Sequence, residues 1–370
     1  MRILQLGKFY PIRGGVEKVM WDLTKGISSR GIDCDMLCAT LDGEQTISLS
    51  EHGRVFCVKA WAKKAATMLA PSMVSTLRRI AGDYDIIHIH HPDPMACLAL
   101  IMSGYKGKVV LHWHSDILSQ KLLLTFYEPL QRWLIKRADL IVGTTPVYVK
   151  NAPALKGVQH KVAYLPIGVD DVSTLSSKRP AALDGLSGKK IVFSLGRLVP
   201  YKGYSYLVDA AALLGDDYHV VIGGDGPLRE ELERQILEKS LQDKVTLLGR
   251  VSDEELPAWY QGCSLFCLSS IWKTEAFAIV QVEAMSCSKP VVATNIQDSG
   301  VSWVNAHGYS GLNVPPESPE ALADAIRSIC EDEEVYASFC TRARARYEEV
   351  FRYDGMIEGC LRLYRGILSK

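Results

Sequence analysis

Two kinds of hydrophobic run alternate along the first half of the chain. Short, continuous apolar runs have the length of buried strands, as in MRILQLG, YDIIHIHH, KVVLHWH and DLIVGTT. Between them lie longer amphipathic runs typical of helices, such as GGVEKVMWDLTKGISSRG and LLTFYEPLQRWLIKRA. Strands that alternate with helices of about 10 to 15 residues predict βαβ units and a parallel sheet.

This alternation stops once and then starts again. Residues 164–190 are rich in Pro, Gly, Ser and charge, which predicts a linker. Beyond them KIVFSLGR, YHVVIGGDGP, VTLLGRV, SLFCLSS and PVVATN have the pattern of strands. A chain of 370 residues is also too long for one compact core. We therefore predict two doubly wound α/β domains with a ligand cleft between them, because open sheets bind ligands at their carboxyl ends.

Charge is divided unevenly between the two halves. Residues 1–170 hold 21 Lys and Arg against 14 Asp and Glu, whereas residues 171–370 hold 21 against 28. A basic first half favours an anionic partner such as a membrane surface, and scattered surface charge is the alternative. No run approaches the roughly 18 apolar residues of a membrane span, and the start of the chain predicts a buried strand rather than a signal peptide. The ten cysteines form no CxxC pair, which favours core thiols in a reducing cytosol.

Three glycine turns at strand ends are candidate phosphate sites. Gly14 and Gly15 precede the first helix, where free backbone N–H groups could bind a phosphate. In GRLVPYKG, Arg197 and Lys202 follow a buried strand and could clamp a diphosphate, although exposed loop cations would give the same pattern. GGDGP adds a third turn at residues 223–227.

Two glutamates eight positions apart flank an apolar stretch in EAFAIVQVEA. On one helix, Glu275 and Glu283 would lie roughly 12 Å apart along the axis and point about 80° apart, too far for a hydrolytic carboxyl pair. We expect a helix from Phe277 to Met285, with the N–H groups of residues 276–279 at its positive end. Glu275 would then accept hydrogen bonds from sugar hydroxyls and Glu283 from a ribose diol. A solvated helix glutamate is the alternative for Glu283, but its flanks are apolar.

Histidines cluster near two strand ends. One cluster holds His88, His90 and His91, and the other holds His112 and His114. A metal site has to be considered, because His88 and His90 would share a face of their strand. Carboxylates at matching spacing are missing, so we predict no metal. His114 with Asp116 is better placed for a sugar or an acceptor, and satisfied core histidines are the alternative for the rest.

Taken together, these segments resemble the GT-B glycosyltransferases of family 4. The resemblance covers nearly the whole chain and rests on FYPIRGGVEKV, WHSDIL, GRLVPYKG, GGDGP, LGRVSDEEL, the glutamate segment and GYSGLNVPPESPEALADAI. WHSDILSQKLLL and SGVSWVNAHGYSGL are most similar to bacterial members that build O-antigen and other surface polysaccharides, several of them mannosyltransferases. The fold implied is GT-B: two Rossmann-like domains that face a central cleft.

The resemblance also implies roles for single residues. Arg197 and Lys202 match the cations that bind the donor diphosphate, and Glu283 matches the ribose ligand. The part of the family's donor site that holds the sugar corresponds to Glu275 and the backbone amides of Ala276, Phe277, Ala278 and Ile279.

Further matches lie outside that segment. His114 corresponds to the histidine beside the reacting sugar, and Gly15 to a loop that closes over the donor. Gly224 and Val251 would lie at the nucleotide. The catalytic set implied is His114, Glu275, Arg197 and Lys202, and the family normally needs no metal.

The chain departs from the family pattern at two places. The family often has glycine where this chain has Ala276 and Ala278, and a methyl group there would narrow the pocket. The usual GG after PVVAT is Ser299–Gly300 here.

The resemblance implies a cytosolic, retaining, metal-independent glycosyltransferase. It would move a sugar, with mannose from GDP-mannose favoured, from a nucleotide-diphosphate sugar to a lipid-linked glycan. We expect an acceptor domain at residues 1–167, a donor domain at 168–354, and a last helix at 355–370 that packs back on the first domain. Residues 59–70 and 77–82 would contact the inner face of the plasma membrane, and no nucleic acid partner is expected.

Three other functions remain open at this point. A sugar-nucleotide epimerase could use the same architecture without an acceptor. A NAD-dependent dehydrogenase would need a GxGxxG motif with an acidic residue about 20 positions on, which the sequence lacks. A non-catalytic subunit is disfavoured by the presence of both cations and both glutamates.

Overall fold

The computed structural model describes residues 1–12, 14–64, 67–116 and 121–369. The chain forms two compact units. Unit 1 comprises Met1–Ile167 with Asp354–Lys370, and unit 2 comprises Gly168–Tyr353. Among the described residues, no helix is both long enough and apolar enough to cross a membrane.

Unit 1 is built on a largely parallel sheet. Its strands are β1 (Ile3–Phe9), β2 (Cys34–Thr40), β3 (Gln45–Ser50), β4 (Gly53–Lys59), β5 (Ala62–Lys64), β6 (Thr67–Leu69), β7 (Ile86–His91), β8 (Lys108–Trp113), β9 (Leu140–Gly143) and β10 (Val162–Tyr164). The helices between them are α1 (Gly15–Ser28), α2 (Ser72–Ile80), α3 (Pro94–Ser103), α4 (Lys121–Arg137) and α5 (Pro146–Lys150).

Eight of these strands form one sheet in the order β10-β9-β8-β7-β1-β2-β4-β3. All neighbours are parallel except β3 and β4, which form an antiparallel edge, and β5 pairs with β6 in a separate hairpin. The apolar runs predicted as strands correspond to β1, β7, β8 and β9. The pattern gave no indication of β3, because its sequence QTISLS lies at an exposed edge and lacks an apolar run.

Unit 2 has the classical Rossmann strand order. Its strands are β11 (Lys190–Leu195), β12 (Tyr218–Gly223), β13 (Val245–Gly249), β14 (Leu265–Leu268), β15 (Val291–Thr294) and β16 (Gly311–Val314). They form a parallel sheet in the order β13-β12-β11-β14-β15-β16, which is 3-2-1-4-5-6 in chain order.

Eight α-helices accompany this sheet in the described chain. They are α6 (Ala181–Asp184), α7 (Tyr204–Leu213), α8 (Arg229–Glu238), α9 (Leu256–Gly262), α10 (Ile279–Ser286), α11 (Val301–Val304), α12 (Pro319–Cys330) and α13 (Glu333–Arg346). One buried cluster joins α7, α8 and α12 to the strands, with Leu207, Leu232 and Ile326 packed on Val220 and Leu265.

The segment predicted as a linker is largely part of unit 2. From Gly168 onward it belongs to that unit, and the side chains of Val172 and Leu183 are buried. Asp171 pairs with Arg344 at 2.6 Å, and this contact lowers the pKa of the Asp171 carboxyl. The Pro, Gly and Ser residues of this segment therefore belong to irregular structure that packs on unit 2, and they do not form a flexible linker.

The last helix returns to unit 1. Helix α14 runs from Tyr353 to Leu368 and buries Met356, Ile357, Leu361 and Tyr364. The Tyr364 hydroxyl contacts side chains of β1 and β7 in the interior of unit 1.

Each sheet has one point where the strand order reverses. In unit 1 it lies between β1 and β7, and in unit 2 between β11 and β14. Connections leave the two strands in opposite directions at such a point, which opens a crevice at their carboxyl ends. In unit 2 the crevice is bordered by the loop after β11, residues 196–203, and by the loop after β14, residues 269–278.

The cysteines behave as core thiols. All ten are free, and eight of them are buried. Burial raises the pKa of thiols such as Cys97 and Cys267 to about 12, so they stay protonated at neutral pH.

Candidate active site

The loop after β11 carries Lys202 back over the end of its own strand. A short turn at Pro200–Lys202 ends at Gly203, whose φ of 64° favours glycine. A Cβ on Gly203 would lie 2.2 Å from the carbonyl oxygen of Ser269, so the absence of a side chain lets this loop press against the end of β14. A Cβ on Gly196 would lie 3.1 Å from Lys202 Cε. Lys202 is consequently only 8% exposed.

Lys202 forms a buried ion pair with Glu275. Its Nζ lies 2.5 Å from Glu275 Oε2, and the Ser270 hydroxyl donates to the same oxygen at 2.9 Å. Burial acts to lower the pKa of Lys202, but Glu275 and two nearby tyrosines outweigh it, so the pKa is raised above its usual value. The ammonium is therefore charged at neutral pH.

The loop that carries Glu275 is held by its main chain. The Ser299 hydroxyl donates to the Glu275 carbonyl, and the Gly300 N–H donates to the Ala276 carbonyl at 3.1 Å. The Ser299–Gly300 pair, noted as a departure from the family pattern, thus positions the first glutamate.

Helix α10 begins later than the sequence suggests. The prediction of a helix from Phe277 is wrong, because α10 begins at Ile279, after Ala278 with φ 60° and ψ 80°. Glu275 lies in the preceding loop, and only Glu283 is on the helix. The two glutamates therefore belong to different elements, and the amides of residues 276–278 are loop amides at the positive end of α10.

Glu283 is held by a buried tyrosine. The Tyr260 hydroxyl donates to Glu283 Oε2 at 2.6 Å. Burial, followed by the nearby Glu283 charge, raises the pKa of Tyr260 well above its usual value, so this hydroxyl keeps its proton. Glu283 is half-buried and engaged, unlike the freely solvated helix glutamate considered as the alternative.

The remaining glycine turns of unit 2 meet at the ends of β11, β12 and β13. A Cβ on Gly224 would lie 1.9 Å from the Gly196 carbonyl oxygen, and the Gly224 N–H donates to the Gly249 carbonyl at 2.7 Å. A Cβ on Gly223 would lie 2.8 Å from Val251. The structure therefore brings Gly224 and Val251 together beside the Lys202 loop.

Arg197 lies on the same loop but points into solvent. Its side chain is exposed, and within the described parts of the chain it has no hydrogen bond or ion pair. The two cations of GRLVPYKG thus differ: Lys202 is paired with a carboxylate, whereas Arg197 is available to an anion.

The candidate residues of unit 1 are Gly15 and His114. Gly15 is the exposed first residue of α1. A Cβ on Gly14 would lie 2.4 Å from a Glu17 carboxylate oxygen, so a carboxylate of the chain itself lies at this helix N-terminus. His114 is buried, and its Nε2 lies 2.9 Å from His90 Nδ1. Asp116, expected to act with His114, accepts a hydrogen bond from the Trp113 indole at 3.0 Å.

The histidines of β7 and β8 lie together. Ring nitrogens of His88, His90 and His112 all lie within 4.8 Å of one another, a separation that a metal ion could bridge. The rings are stacked rather than convergent, with His88 and His90 at 15° and His88 and His112 at 14°. Burial lowers the pKa of His112 to about 3, so this ring is neutral at physiological pH.

Two family descriptions match consecutive parts of the chain. Glycosyltransferase family 4 matches residues 13–172, and glycosyl transferases group 1 matches residues 180–346. The O-antigen chain mannosyltransferase C of Escherichia coli is 32% identical over 373 residues, which cover 100% of this chain and 99% of the relative. The chain belongs to glycosyltransferase family 4.

Other comparisons agree with this membership. The D-rhamnosyltransferase WbpZ of Pseudomonas aeruginosa is 31% identical to this glycosyltransferase, covering 95% of the chain and 92% of the relative. The structure of Anabaena HepE, solved with UDP, superposes with a TM-score of 0.80 at 22% identity and covers 99% of this chain and 100% of that one. That likeness concerns the fold and confirms the predicted GT-B class.

Some supporting residues of this family 4 enzyme were missed by the sequence analysis. Ser270 ends the run SLFCLSS, and a hydroxyl pair directly after a buried strand could have drawn attention to it. Tyr260 lies in DEELPAWYQGC, where nothing in the pattern connects it with Glu283. Both act on a glutamate that the sequence did single out.

Proposed function

We propose that this glycosyltransferase moves a sugar from a nucleotide-diphosphate sugar to a lipid-linked glycan in bacterial O-antigen or related surface-polysaccharide synthesis. The observation that carries the proposal is the buried Lys202–Glu275 pair at the reversal point of the unit 2 sheet, with Arg197 exposed on the same loop. The E. coli relative, an O-antigen chain mannosyltransferase, supports a role in O-antigen synthesis, and the P. aeruginosa relative, a D-rhamnosyltransferase, supports the transfer of a sugar.

In this proposal unit 2 binds the donor. Arg197 and Lys202 contact the diphosphate. One cation for each of the two phosphates suits a site in which Lys202 is buried and Arg197 is exposed. Glu283, held by Tyr260, accepts hydrogen bonds from the ribose hydroxyls. The nucleotide base lies against Gly224 and Val251.

The sugar of the donor is assigned to the Glu275 loop. Both hydrogen bonds to the Glu275 carboxylate go to Oε2, and within the described chain Oε1 makes none. Oε1 can therefore accept from a sugar hydroxyl without loss of the ion pair. The amides of Ala276, Phe277, Ala278 and Ile279 supply donors at the positive end of α10.

The reaction is assigned to the retaining class. The bond between the anomeric carbon and the leaving phosphate oxygen breaks, and the acceptor oxygen bonds to that carbon on the same face. The acceptor proton passes to the leaving phosphate. Positive charge from Lys202 and Arg197 offsets the charge that develops there, so the proposed mechanism uses no metal ion. In unit 1, neutral His114 contacts the reacting sugar, Gly15 belongs to a loop over the donor, and the rest of the unit binds the acceptor.

We favour mannose from GDP-mannose as the donor, because the E. coli relative is a mannosyltransferase. Two alternatives have distinct products. An epimerase would release a free sugar without an acceptor, and a non-catalytic subunit would bind a glycan or nucleotide without turnover.

Donor binding followed by turnover tests the proposal. GDP-, UDP-, dTDP- and ADP-sugars are screened by thermal shift on wild type and Glu283→Ala, with and without EDTA. We expect one nucleotide family to stabilise wild type but not the variant, with no effect of EDTA, and sugar transfer to a lipid-linked acceptor to follow. Stabilisation abolished by EDTA would refute the metal-free mechanism. Stabilisation by none of the four would favour the non-catalytic alternative, and free sugar without transfer would favour the epimerase.

Peripheral binding to the inner face of the plasma membrane is the second part of the proposal. Trp61 is 78% exposed beside the β5–β6 hairpin, and Arg78 and Arg79 are exposed at the end of α2. Tryptophan and basic side chains suit the interface of an anionic bilayer. Residues 65 and 66 of the predicted contact, with the Lys64 side chain, lie outside the described residues, as do 117–120 in WHSDILSQ and Arg13 in FYPIRGG.

Vesicle co-sedimentation tests this contact. We expect Trp61→Ala combined with Arg78→Gln and Arg79→Gln to reduce binding to vesicles that contain phosphatidylglycerol. Trp272→Ala, which removes a tryptophan of unit 2 that is 52% exposed, is the matched control and should bind as wild type. Equal binding by the triple variant and wild type would refute the membrane contact.

A further inference from the structure

A row of buried polar side chains lies on one face of the unit 1 sheet. Gln5 of β1 lies opposite His88 of β7, and His90 of β7 lies opposite His112 of β8. Alternate residues of a strand share a face, so His88 and His90 project on the same side, as do His112 and the residue after β8, His114. All five are at most 5% exposed. Such a concentration of polar groups in a sheet interior requires internal hydrogen bonds.

Four hydrogen bonds connect these side chains from α14 to His114. The Tyr364 hydroxyl lies 2.5 Å from His88 Nδ1 and accepts from Gln5 Nε2 at 3.0 Å. Gln5 Oε1 lies 2.8 Å from His90 Nε2, and His90 Nδ1 lies 2.9 Å from His114 Nε2. The row therefore begins at a tyrosine of the last helix and ends at a histidine already assigned to the substrate.

The direction of these hydrogen bonds follows from chemistry. An amide oxygen can only accept, so His90 must carry its proton on Nε2 to bond with Gln5 Oε1. A neutral imidazole has one N–H, and burial lowers the pKa of His90 and of His114 well below the usual value, so both rings are neutral. His90 Nδ1 is then an acceptor, and the proton between the two rings belongs to His114 Nε2. His114 Nδ1 is left with a lone pair.

We infer that Gln5 sets the tautomer of His114 through His90, so that His114 presents Nδ1 to the substrate as a hydrogen-bond acceptor. Gln5 and His90 are positioning residues that do not touch the substrate themselves. The consequence for turnover rests on the proposed function: a histidine of this tautomer can accept from a sugar or acceptor hydroxyl but cannot donate to a phosphate or carbonyl oxygen.

A metal site is the competing interpretation of the same side chains. It would need a ring nitrogen from each of His88, His90 and His112. Both nitrogens of His90 are already engaged, by Gln5 and by His114, and a metal ligand would have to give up one of these bonds. The rings of His90 and His114 are also nearly parallel, at 14° with centroids 5.1 Å apart, as a hydrogen bond between the edges of two neighbouring rings requires.

Histidine NMR tests the inference without any substrate. The full-length protein is labelled with ¹⁵N-histidine, and long-range proton–nitrogen correlations report which ring nitrogen carries the proton. The His114 signals are assigned from a His114→Asn sample. We expect wild-type His114 as the Nε2–H form. Gln5→Met, which removes the acceptor, should yield a mixture of His114 tautomers, whereas Gln5→Glu, which keeps an acceptor facing His90, should restore the Nε2–H form.

Three results would overturn the inference. His114 protonated on Nδ1 in wild type would reverse the donor and acceptor of the hydrogen bond between His90 and His114. If the His114 tautomer is unchanged in Gln5→Met, and backbone amide spectra show a folded protein, Gln5 does not set that tautomer. One equivalent of bound transition metal in the purified protein would assign the same nitrogens to coordination.

A kinetic comparison extends the test to turnover. In Gln5→Met we expect kcat to fall about tenfold or more while the donor KM changes less than about threefold, with recovery in Gln5→Glu. The two proposals fail separately. A tautomer that responds to Gln5 in a protein without transferase activity would refute the proposed function alone, and an active enzyme with an unresponsive tautomer would refute the positioning role alone.

Discussion

The hydroxyl of Tyr260 lies 2.6 Å from Glu283 Oε2, although 22 residues of chain and the whole of β14 separate the two. Tyr260 is fully buried on α9, whereas Glu283 is half-buried on α10. The tyrosine therefore fixes one oxygen of the carboxylate from the protein side. A ligand with adjacent hydroxyls meets a carboxylate that is already oriented.

This relationship predicts unequal effects of two substitutions on donor binding. Glu283→Ala removes hydrogen bonds to a charged group and should raise the Kd for the donor nucleotide about 10- to 100-fold. Tyr260→Phe removes only the orienting hydroxyl and should raise it about 2- to 10-fold. Isothermal titration calorimetry measures both. A larger loss from Tyr260→Phe than from Glu283→Ala would contradict the assignment of Glu283 to the ribose.

The Lys202–Glu275 pair predicts a strong non-additivity in stability. Lys202→Met leaves the Glu275 carboxylate buried with Ser270 as its remaining donor, and should destabilise unit 2 by about 3–5 kcal/mol. The double variant Lys202→Met, Glu275→Gln has no unpaired buried carboxylate and should recover most of the lost free energy of unfolding. Hydrogen–deuterium exchange of the β11 and β14 peptides reports on this unit. Equal destabilisation by the single and double variants would show that the pair is not electrostatically coupled.

The backbone of Ala278 predicts that glycine stabilises this position. With φ at 60°, an alanine is in the left-handed region, which costs about 1–2 kcal/mol relative to glycine. The greater freedom of glycine in the unfolded chain offsets about 0.4–1 kcal/mol of that. Ala278→Gly should therefore raise the free energy of unfolding by up to about 1.6 kcal/mol, as measured by chemical denaturation.

Ala276→Gly is the matched control for that substitution. Ala276 lies in the same loop but outside the left-handed region, so glycine there brings no conformational relief and should lower stability. The family commonly has glycine at both positions, yet the backbone calls for it at only one. Stabilisation by both substitutions, or by neither, would show that φ at Ala278 is not the cause.

The buried histidines predict a loss of stability in mild acid. Burial lowers the pKa of His91 and of His112 to about 3, so the folded protein keeps them neutral while the unfolded chain protonates near pH 6.5. Below pH 6.5 the unfolded state binds more protons, and the free energy of unfolding should fall by about 1.4 kcal/mol per pH unit for each such ring. The contribution is complete above pH 6.5 and is lost as the pH falls toward 3.

Denaturation at pH 7.5 and 5.5 measures this dependence. His112→Phe removes one titrating ring while keeping an aromatic ring in the stack, so its stability should fall less steeply with acid than that of wild type. His160→Phe, at an exposed position of the same unit, is the control and should leave the slope unchanged. An identical slope for His112→Phe and wild type would show that His112 is not held neutral by burial.

Much of this architecture could be predicted from the local sequence pattern, because short continuous apolar runs such as those of β1, β7 and β11 are typical of buried strands. Polar edge strands such as β3 leave no such signal. The start of α10 was misplaced because the positive φ of Ala278 is not visible in an alanine. The candidate site was predictable as a set of residue types at strand ends.

The contacts within the site were not predictable, because they are long-range. Lys202 and Glu275 are 73 positions apart, and sheet topology decides that their loops are adjacent. The hydrogen bonds of the histidine row could not be predicted for the same reason. The spacing of His88 and His90 indicates a shared face, but the Gln5–Tyr364 hydrogen bond spans 359 positions and depends on where the last helix packs.

That last helix has a consequence for the order in which the protein is made. Unit 1 contains both ends of the chain, and Tyr364 fills its interior against Gln5 and His88. On a ribosome, every residue of unit 2 emerges before Tyr364 does, so unit 2 can complete its core while unit 1 still lacks a buried side chain. Residues 1–167 are therefore synthesised before unit 2, but the unit to which they belong is completed after it. Until Tyr364 emerges, the nascent chain lacks the hydroxyl that contacts His88 and Gln5 in that interior.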